Sequence, residues 1–217
     1  MTEKMISRVA ALRQLTAEGI EAVLIPAGFD PQGQGAWVRR TLELQHVIAL
    51  LARRGMYDVQ WGIVSPEAVP FLWGASTELG DVGAAVVSGT PGTIHHPAAC
   101  QSFRLEASVT TDAVREISAG LSLDLGQVEQ RLRAFSTRRE LRGYLMLNRD
   151  AKDRRDFVIP ANLPLKLFTA ATLAVIDADP DACELVADAE QAMAHFTDDV
   201  SVSRLRRLRD ASAKLCS

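Results

Sequence analysis

The sequence predicts an α+β fold, in which a largely antiparallel sheet carries helices on one face and the C-terminal third is all helical. Segments 57–63 and 102–109 predict the sheet, because apolar side chains alternate in them with polar or small ones. Successive side chains of a strand point to opposite faces, so each segment has one apolar face and one wet face. Parallel strands buried by helices on both faces are instead continuously apolar. Helical patterns after residue 160 predict the C-terminal third.

One domain is predicted for residues 1–217. A chain of 217 residues buries roughly 70–75% of its unfolded surface, which is enough for a core without metal or disulfide support. Its hydrophobic fraction of 47% and charged fraction of 24% are typical of a globular protein and argue against wholesale disorder. Within this domain we expect the sheet in about 1–150 and the helical part in about 160–217.

The N-terminal quarter combines helical and strand-like patterns. Met5, Val9 and Leu12 recur at helical spacing, and the stripe fades before Gly19, which offers a C-terminal cap. The same helical spacing of apolar residues recurs after the first loop. The predicted elements are a helix over about 5–19, a buried strand over 22–25, a Gly/Pro-rich loop over 26–35 and a helix over about 36–54.

Strands give way to helices in the middle of the chain. Thr111 or Asp112 is a suitable N-cap for one helix and Asp124 for another, and Gly120 separates the two. Asn162 is the N-cap of a third helix, which is apolar nearly all round and is therefore expected in the middle of the core. The predicted elements are strands over 57–63, 84–87 and 102–109, a loop-rich stretch over 74–99, and helices over about 111–119, 124–135 and 163–176. Residues 141–148 fit either a helix end or a strand, and we favour the strand.

Acidic and basic residues separate in the last forty residues. Residues 177–199 hold eight acids and no Lys or Arg, whereas residues 202–217 hold five basic residues and one acid. Asp179 and Pro180 predict the start of the first of two antiparallel helices. Two interpretations remain open. The helices pack against each other, which we favour, or one of them leaves the pair to bind a partner of opposite charge.

The cysteines and the N-terminal segment indicate a cytoplasmic protein. Cys100, Cys183 and Cys216 form no CxxC pair, and we expect no disulfide framework. The N-terminal segment lacks the apolar stretch of a secretory signal. The most apolar stretch, 157–176, is interrupted by two prolines and a lysine, whereas a membrane span needs about 20 clean apolar residues. We therefore expect a soluble protein without a membrane partner.

The glycines of the loop over 26–35 invite comparison with phosphate-binding loops. Gly28 and Gly33 have the spacing of a P-loop, but Gln34 and Gly35 replace the Lys and the Ser/Thr of that motif. The dinucleotide fingerprint requires a third glycine at the position of Val38. Nucleotide binding is therefore not expected, and no cofactor is predicted.

His95, His96 and Cys100 form the most conspicuous group of metal-ligating residue types. Imidazole and thiolate bind zinc, but adjacent residues rarely face one metal, and no second pair stands at a usable spacing. No metal site and no catalytic residue is predicted. His95 and His96 remain candidate binding residues in a polar loop. His46 and His195 stand alone on predicted helices.

Residues 131–155 concentrate nine basic residues with three acids between them. This cluster fits a phosphate-bearing or acidic partner, or, as we favour, the solvated face of a helix and a loop. A nucleic-acid partner is not expected, because the net charge is −3, whereas nucleic-acid-binding domains are usually clearly basic.

No motif identifies a function, and two hypotheses remain besides the disfavoured one of nucleic-acid binding through residues 131–155. The first is a non-enzymatic adaptor, chaperone-like or regulatory protein, expected as a homodimer, that binds another protein through the wet face of its sheet or through a helix. The candidate binding residues on that face are Asp58, Gln60, Arg104 and Glu106. The second hypothesis is a small-molecule enzyme whose site lies between the Gly-rich loops at 26–35 and 74–99.

Overall fold

A computed structural model describes residues 4–33, 35–53, 56–74, 82–90, 102–147 and 163–216 of the protein. The strands are β1 (Met5–Ser7), β2 (Asp30–Gly33), β3 (Ala36–Arg40), β4 (Gln45–Arg53), β5 (Met56–Val64), β6 (Val87–Gly89), β7 (Ser102–Arg104) and β8 (Ser108–Thr110). The helices are α1, which joins Arg8–Leu15, a π-helical stretch Thr16–Glu21 and a last turn Ala22–Leu24, then α2 (Val69–Trp73), α3 (Thr111–Leu132), α4 (Arg138–Leu147), α5 (Leu163–Ile176), α6 (Ala182–Met193) and α7 (Asp199–Ser212).

The main sheet is antiparallel at every described strand pair, and the predicted α+β fold is confirmed. Its strands follow the order β2-β3-β4-β5-β6, and β7 also pairs with β5. β1 and β8 form a separate two-stranded sheet. The longest pairing joins β4 to β5 and includes the predicted strand over 57–63, which is therefore confirmed.

The two faces of the main sheet are covered differently. On the core face, Trp37, Ile48 and Trp61 are buried in one cluster with residues of α1 and α3 to α7. On the second face, Val47 and Val64 form a smaller buried cluster with residues of α2 and of the short turn Val82–Ala84. The long helices therefore lie on one face, as predicted, and α2 covers only part of the other.

The predicted helix over 36–54 is wrong, because this segment forms the hairpin β3–β4. Arg39 pairs with His46 and Trp37 with Ile48 across this hairpin. Side chains on both faces of β4 are buried, because its second face packs into the cluster around Val47. Because both faces of β4 are buried, its sequence lacks the apolar–polar alternation typical of a strand. The apolar residues of the segment also fit helical spacing, which led to the wrong prediction.

Two further predictions, a helix end at Gly19 and a strand over 22–25, are wrong, because Gly19 and Ala22–Leu24 lie within helix α1. The chain stays helical to Leu24, and Gly19 allows close packing instead of capping the helix. A Cβ atom at Gly19 would lie 3.1 Å from the Cα atom of Ser118 in α3. Met5 and Val9, expected on the buried stripe, are more than half exposed.

Four predictions in the middle of the chain also change. The strand over 102–109 is two strands in different sheets, β7 and β8, separated by the fully buried Leu105. The helices over 111–119 and 124–135 are one helix, α3, because Gly120 faces open space and does not interrupt it. The strand over 141–148 is helix α4, which buries Leu141 and Leu145 one turn apart. The strand predicted over 84–87 is found three residues later, as β6 (Val87–Gly89).

The C-terminal third is helical in its described residues, as predicted. Residues 167–175 of α5 are all buried, which confirms a helix in the middle of the core; Asn162 lies outside the described residues. α6 and α7 pack together, and Arg209 of α7 donates to the Glu190 carboxylate of α6. α6 begins at Ala182, two residues after Pro180, so the predicted start is wrong. No helix in the described residues is both long and apolar enough to cross a membrane.

A disulfide joins Cys183 in α6 to Cys216 beyond the end of α7. The expectation of no disulfide framework is therefore wrong. The sequence separation of 33 residues gave no signal of this bond. The antiparallel packing of α6 and α7 brings the start of one helix to the end of the other, where the two Cα atoms are 5.5 Å apart.

We predict that Cys216→Ser lowers the free energy of unfolding by about 3–4 kcal/mol, because the cross-link restricts the unfolded chain. Denaturant titration without reductant measures this change. Cys100→Ser is the matched control, since it removes a thiol and keeps the bond. Dithiothreitol should bring the parent protein to the stability of Cys216→Ser and leave that variant unchanged. Equal stability of the parent and Cys216→Ser without reductant would contradict the bond.

Candidate functional site

A cavity of about 420 Å³ lies between α1 and the strands β2 to β5. We call it the α1 groove. Its wall is mostly apolar and includes two aromatic side chains and one carboxylate. The lining residues are Leu12, Thr16, Glu21, Pro31, Gly33, Gly35, Ala36, Trp37, Leu50, Ala52 and Tyr57.

The π-helical stretch of α1 brings Glu21 into the wall of the groove. Leu12 and Thr16 are four residues apart, the spacing of one face of an α-helix. Glu21 follows Thr16 by five residues, which matches the i→i+5 hydrogen bonds of a π-helix. The N–H of Ala22, for example, donates to the carbonyl of Ala17. Without this wider turn, Glu21 would lie about 100° away around the helix.

The opposite wall depends on glycine at position 35. Gly35 has a φ of +78°, in the left-handed region that disfavours other residues. Its carbonyl accepts the N–H of Leu50 at 2.7 Å, and a Cβ atom at Gly35 would lie 3.0 Å from the Leu50 carbonyl oxygen. This close approach accompanies the register shift between β2 and β3. The loop over 26–35 thereby contributes a glycine-lined wall.

Polar side chains in the groove are few, and two of them, Glu21 and Trp37, are hydrogen-bonded to each other. The indole N–H of Trp37 donates to Glu21 Oε1 at 3.3 Å. Tyr57 stacks on Phe103, with ring centroids 5.5 Å apart, and places its ring in the wall. Glu21 is the one Asp, Glu, Lys or Arg among the lining residues that the structure describes. A concave apolar wall with a few fixed polar groups is typical of small-molecule sites.

A second polar site lies at the far end of the hairpin, in the Arg39 cluster, which consists of Arg39, His46 and Glu129. Arg39 Nη1 donates to Glu129 Oε1 at 2.6 Å and to the Ala27 carbonyl at 3.1 Å. Its guanidinium also lies over the Phe29 ring, 4.8 Å from the centroid. The side chains of Arg39 and Glu129 are only 15% and 9% exposed.

Hydrogen bonds fix the tautomer of His46. Nε2 lies 2.7 Å from the Phe135 carbonyl oxygen, which can only accept, so Nε2 carries the proton. Nδ1 then accepts from the guanidinium of Arg39, 3.1 Å from Nη2. Burial, together with the positive charge of Arg39, lowers the pKa of His46 to about 4. His46 is therefore neutral at physiological pH.

Glu129 stays ionised although it is buried. Burial alone would raise the pKa of its carboxyl group, but hydrogen bonds from Arg133 and Arg39 outweigh that effect and hold the pKa below its usual value. Arg133 Nε donates to Glu129 Oε1 at 2.6 Å. Beside this pair is a cavity of about 330 Å³, which we call the Arg133 cavity. Its lining residues are Arg39, Thr41, Leu42, His46, Arg133 and Ser136.

The structure places three of the six sequence-predicted site residues on one face. Asp58 and Gln60 are half-buried on the second face of β5, and the β5–β7 register aligns Arg104 with Met56 on the same face. Glu106 lies beyond β7 and pairs with Arg104 at 3.1 Å, with both side chains about two-thirds exposed. Exposed pairs of this kind contribute little to stability. His95 and His96 lie outside the described residues.

The small-molecule site was predicted between two Gly-rich loops, and the structure describes only one of these loops nearly in full. The loop over 26–35 lines the α1 groove, whereas most of 74–99 lies outside the described residues. The loop leads into strand β3, so there is no helix N-terminus here to bind a phosphate. Among the described residues, no group of three or more His, Cys, Asp or Glu side chains could hold a metal ion.

Part of the basic cluster over 131–155 is used inside the molecule. Arg138 pairs with Asp177 at 2.5 Å and with Glu67 at 3.1 Å. Arg142 donates to Asp179 at 2.5 Å, and the N–H of Asp181 together with this bond lowers the pKa of the Asp179 carboxyl group. Arg138 and Arg142 of α4 therefore both pair with acids just beyond the end of α5. Residues 148–155 lie outside the described residues.

Comparison with known proteins finds no matching family model, no matching curated protein and no matching solved structure. The function proposed below therefore rests on the geometry of the α1 groove.

Sequence patterns indicated the Gly-rich loop that lines the α1 groove, but they missed its other lining residues and the whole Arg133 cavity. Glu21, Trp37 and Tyr57 come from three elements and share no motif; Trp37 fell in the wrongly predicted helix over 36–54, and Glu21 fell just beyond the wrongly predicted end of the first helix. His46 offered a weak signal, because it is the only ionisable residue between Gln45 and Ala52. A titratable group in such an apolar run is buried with a partner, and Arg39 and Glu129 are those partners.

We predict that His46 makes stability fall between pH 7 and pH 5. The unfolded chain protonates His46 near pH 6.5, whereas the folded protein resists protonation until about pH 4. The free energy of unfolding should therefore decrease by about 2 kcal/mol over this interval. Carboxyl groups with lowered pKa values act mainly below it. Denaturant titrations at several pH values measure the change.

His46→Gln should largely remove this pH dependence, since Gln keeps a donor for the Phe135 carbonyl and does not titrate. His195→Gln is the control and should leave the dependence in place. The same slope in the parent and His46→Gln would show that His46 is not the buried neutral group.

Proposed function

We propose that the chain binds a small molecule in the α1 groove, and that this molecule combines an apolar body with a basic nitrogen. The observation that carries the proposal is the position of Glu21, a carboxylate at the wall of a largely apolar cavity of about 420 Å³. Apolar burial supplies the affinity of such sites, and a few polar groups supply the orientation. This proposal develops the small-molecule hypothesis drawn from the sequence.

The aromatic walls favour a cation over a neutral donor. Trp37 and Tyr57 both line the groove, and the faces of aromatic rings attract cations. The Trp37 indole N–H occupies one side of the Glu21 carboxylate. A carboxylate accepts several hydrogen bonds, so Glu21 keeps capacity for an ammonium group. The ligand would then be held by Glu21 at its charged end and by Leu12 and Leu50 along its body.

The Trp37 indole N–H provides a direct measurement of binding. Its signal in a ¹H–¹⁵N spectrum is identified by its loss in Trp37→Phe. Hexylamine, hexanol and hexanoate have equal apolar lengths and differ in charge. We predict that hexylamine shifts the Trp37 signal at the lowest concentration and that hexanoate binds most weakly. Glu21→Gln should weaken hexylamine binding about tenfold, because a charge-assisted hydrogen bond is lost.

Two variants make this result specific to the groove. Glu18→Gln removes one carboxylate from the same helix outside the groove and should leave hexylamine binding unchanged. Ala52→Leu places a larger side chain on the groove face of β4 and should weaken all three probes. Undiminished binding to Ala52→Leu, or equal affinities for hexylamine and hexanoate, would contradict the proposal.

A second candidate function is protein binding through the second face of the sheet, with a second copy of the chain as the partner. The observation that favours it is the mixed charge of this face, where Asp58 and Arg104 share the surface of β5 and β7. A two-fold axis brings the same patch of both copies together. A patch that carries both signs of charge can therefore pair with itself.

We predict that Arg104→Glu dissociates such a homodimer. The substitution places a second negative charge beside Asp58 on β5 and β7, and like charges repel across an interface. Sedimentation equilibrium measures the mass of the parent and the variant. Arg131→Glu, which makes the same charge change on an exposed position of α3, should leave the dimer intact. A monomeric parent protein, or a dimer that Arg104→Glu does not weaken, would remove this candidate.

A further inference from the structure

The Arg39 cluster and Arg133 together carry unequal numbers of positive and negative charges. Arg39 and Arg133 both donate to Glu129 Oε1, at 2.6 Å each, and His46 is held as a neutral acceptor. Two guanidinium groups thus share one carboxylate, and the group retains one net positive charge. In a partly buried site, such a charge favours a bound anion.

The excess positive charge faces the Arg133 cavity. Arg39 and Arg133 both line this cavity, whereas Glu129 is not part of its wall. Two other acids are nearby in sequence, and both are engaged elsewhere. Glu140 accepts the backbone N–H groups of Ser136 and Thr137, and Glu43 accepts that of Arg138. In the described part of the chain, the walls of the cavity therefore present cations and hydroxyls without a carboxylate.

The cavity also has suitable donors for an anion. Arg133 uses Nε for Glu129, and in the described residues its two Nη groups make no hydrogen bond. These groups remain accessible, since the side chain is 65% exposed. Ser136, whose side chain carries a hydroxyl, also lines this cavity. Guanidinium groups recognise phosphate and carboxylate through paired donors.

We propose that the Arg133 cavity binds the phosphate or carboxylate group of a small molecule through the Nη groups of Arg133 and the Ser136 hydroxyl. The cavity volume of about 330 Å³ exceeds that of a single oxyanion, so the remaining space takes the body of the molecule. This site is separate from the α1 groove and does not depend on the function proposed for it.

Titration with inorganic phosphate at low ionic strength tests the proposal. The backbone amide signals of Leu42 and Ser136 in ¹H–¹⁵N spectra report binding, because both residues line the cavity. We predict saturable shifts of these two signals in the parent protein. Arg133→Gln should weaken phosphate binding about tenfold or more, which is typical for the loss of a hydrogen-bonded charge.

Arg131→Gln is the matched control, because it removes the same charge from an exposed position on the same helix, outside the cavity. It should bind phosphate as the parent does. A parallel titration with acetate distinguishes a carboxylate ligand from a phosphate ligand by the tighter of the two affinities. Equal weakening by Arg131→Gln and Arg133→Gln, or no saturable shift at Leu42 and Ser136 with either anion, would overturn the proposal.

Discussion

Arg39 carries a positive charge into the layer between the sheet and the helices, where an uncompensated charge would destabilise the fold by several kcal/mol. The compensation comes from three separate parts of the chain. Glu129 of α3 supplies the opposite charge, His46 of the neighbouring strand supplies an acceptor, and Ala27 supplies a carbonyl. The hairpin, α3 and the turn after α1 must therefore meet at one place, and both cavities lie along the hairpin that this meeting positions.

The sequence predicted elements well where only one side of an element is buried. The strand over 57–63 has a half-buried face with Asp58 and Gln60, so its alternation was visible. The hairpin β3–β4 failed because β4 is buried on both faces. Helix α1 failed for another reason. Its fully buried residues are Ala11, Leu15, Ile20 and Leu24, with spacings of four, five and four. A regular helical period cannot follow the step of five residues, so the apolar stripe was lost at Thr16.

The candidate sites were harder to predict than the fold. Alternation alone placed Asp58, Gln60 and Arg104 on one face, and the strand register agrees. The α1 groove and the Arg133 cavity instead depend on long-range contacts of the hairpin β3–β4, whose local structure was mispredicted. The disulfide is a similar case, because only the packing of α6 on α7 brings Cys183 and Cys216 together. Local patterns contain information about faces of single elements and very little about the spaces between them.

The π-helical stretch of α1 has a consequence for how this site can arise and disappear. A π-helical turn contains one residue more than an α-helical turn, so deleting one residue between Thr16 and Glu21 would restore regular α-helical hydrogen bonding. The same deletion would rotate the preceding part of the helix by about 100° relative to Glu21. Deletion of a single codon would thus make this helix regular and remove the Glu21 carboxylate from the wall of the groove. The length of the helix therefore decides whether the groove carries a charge.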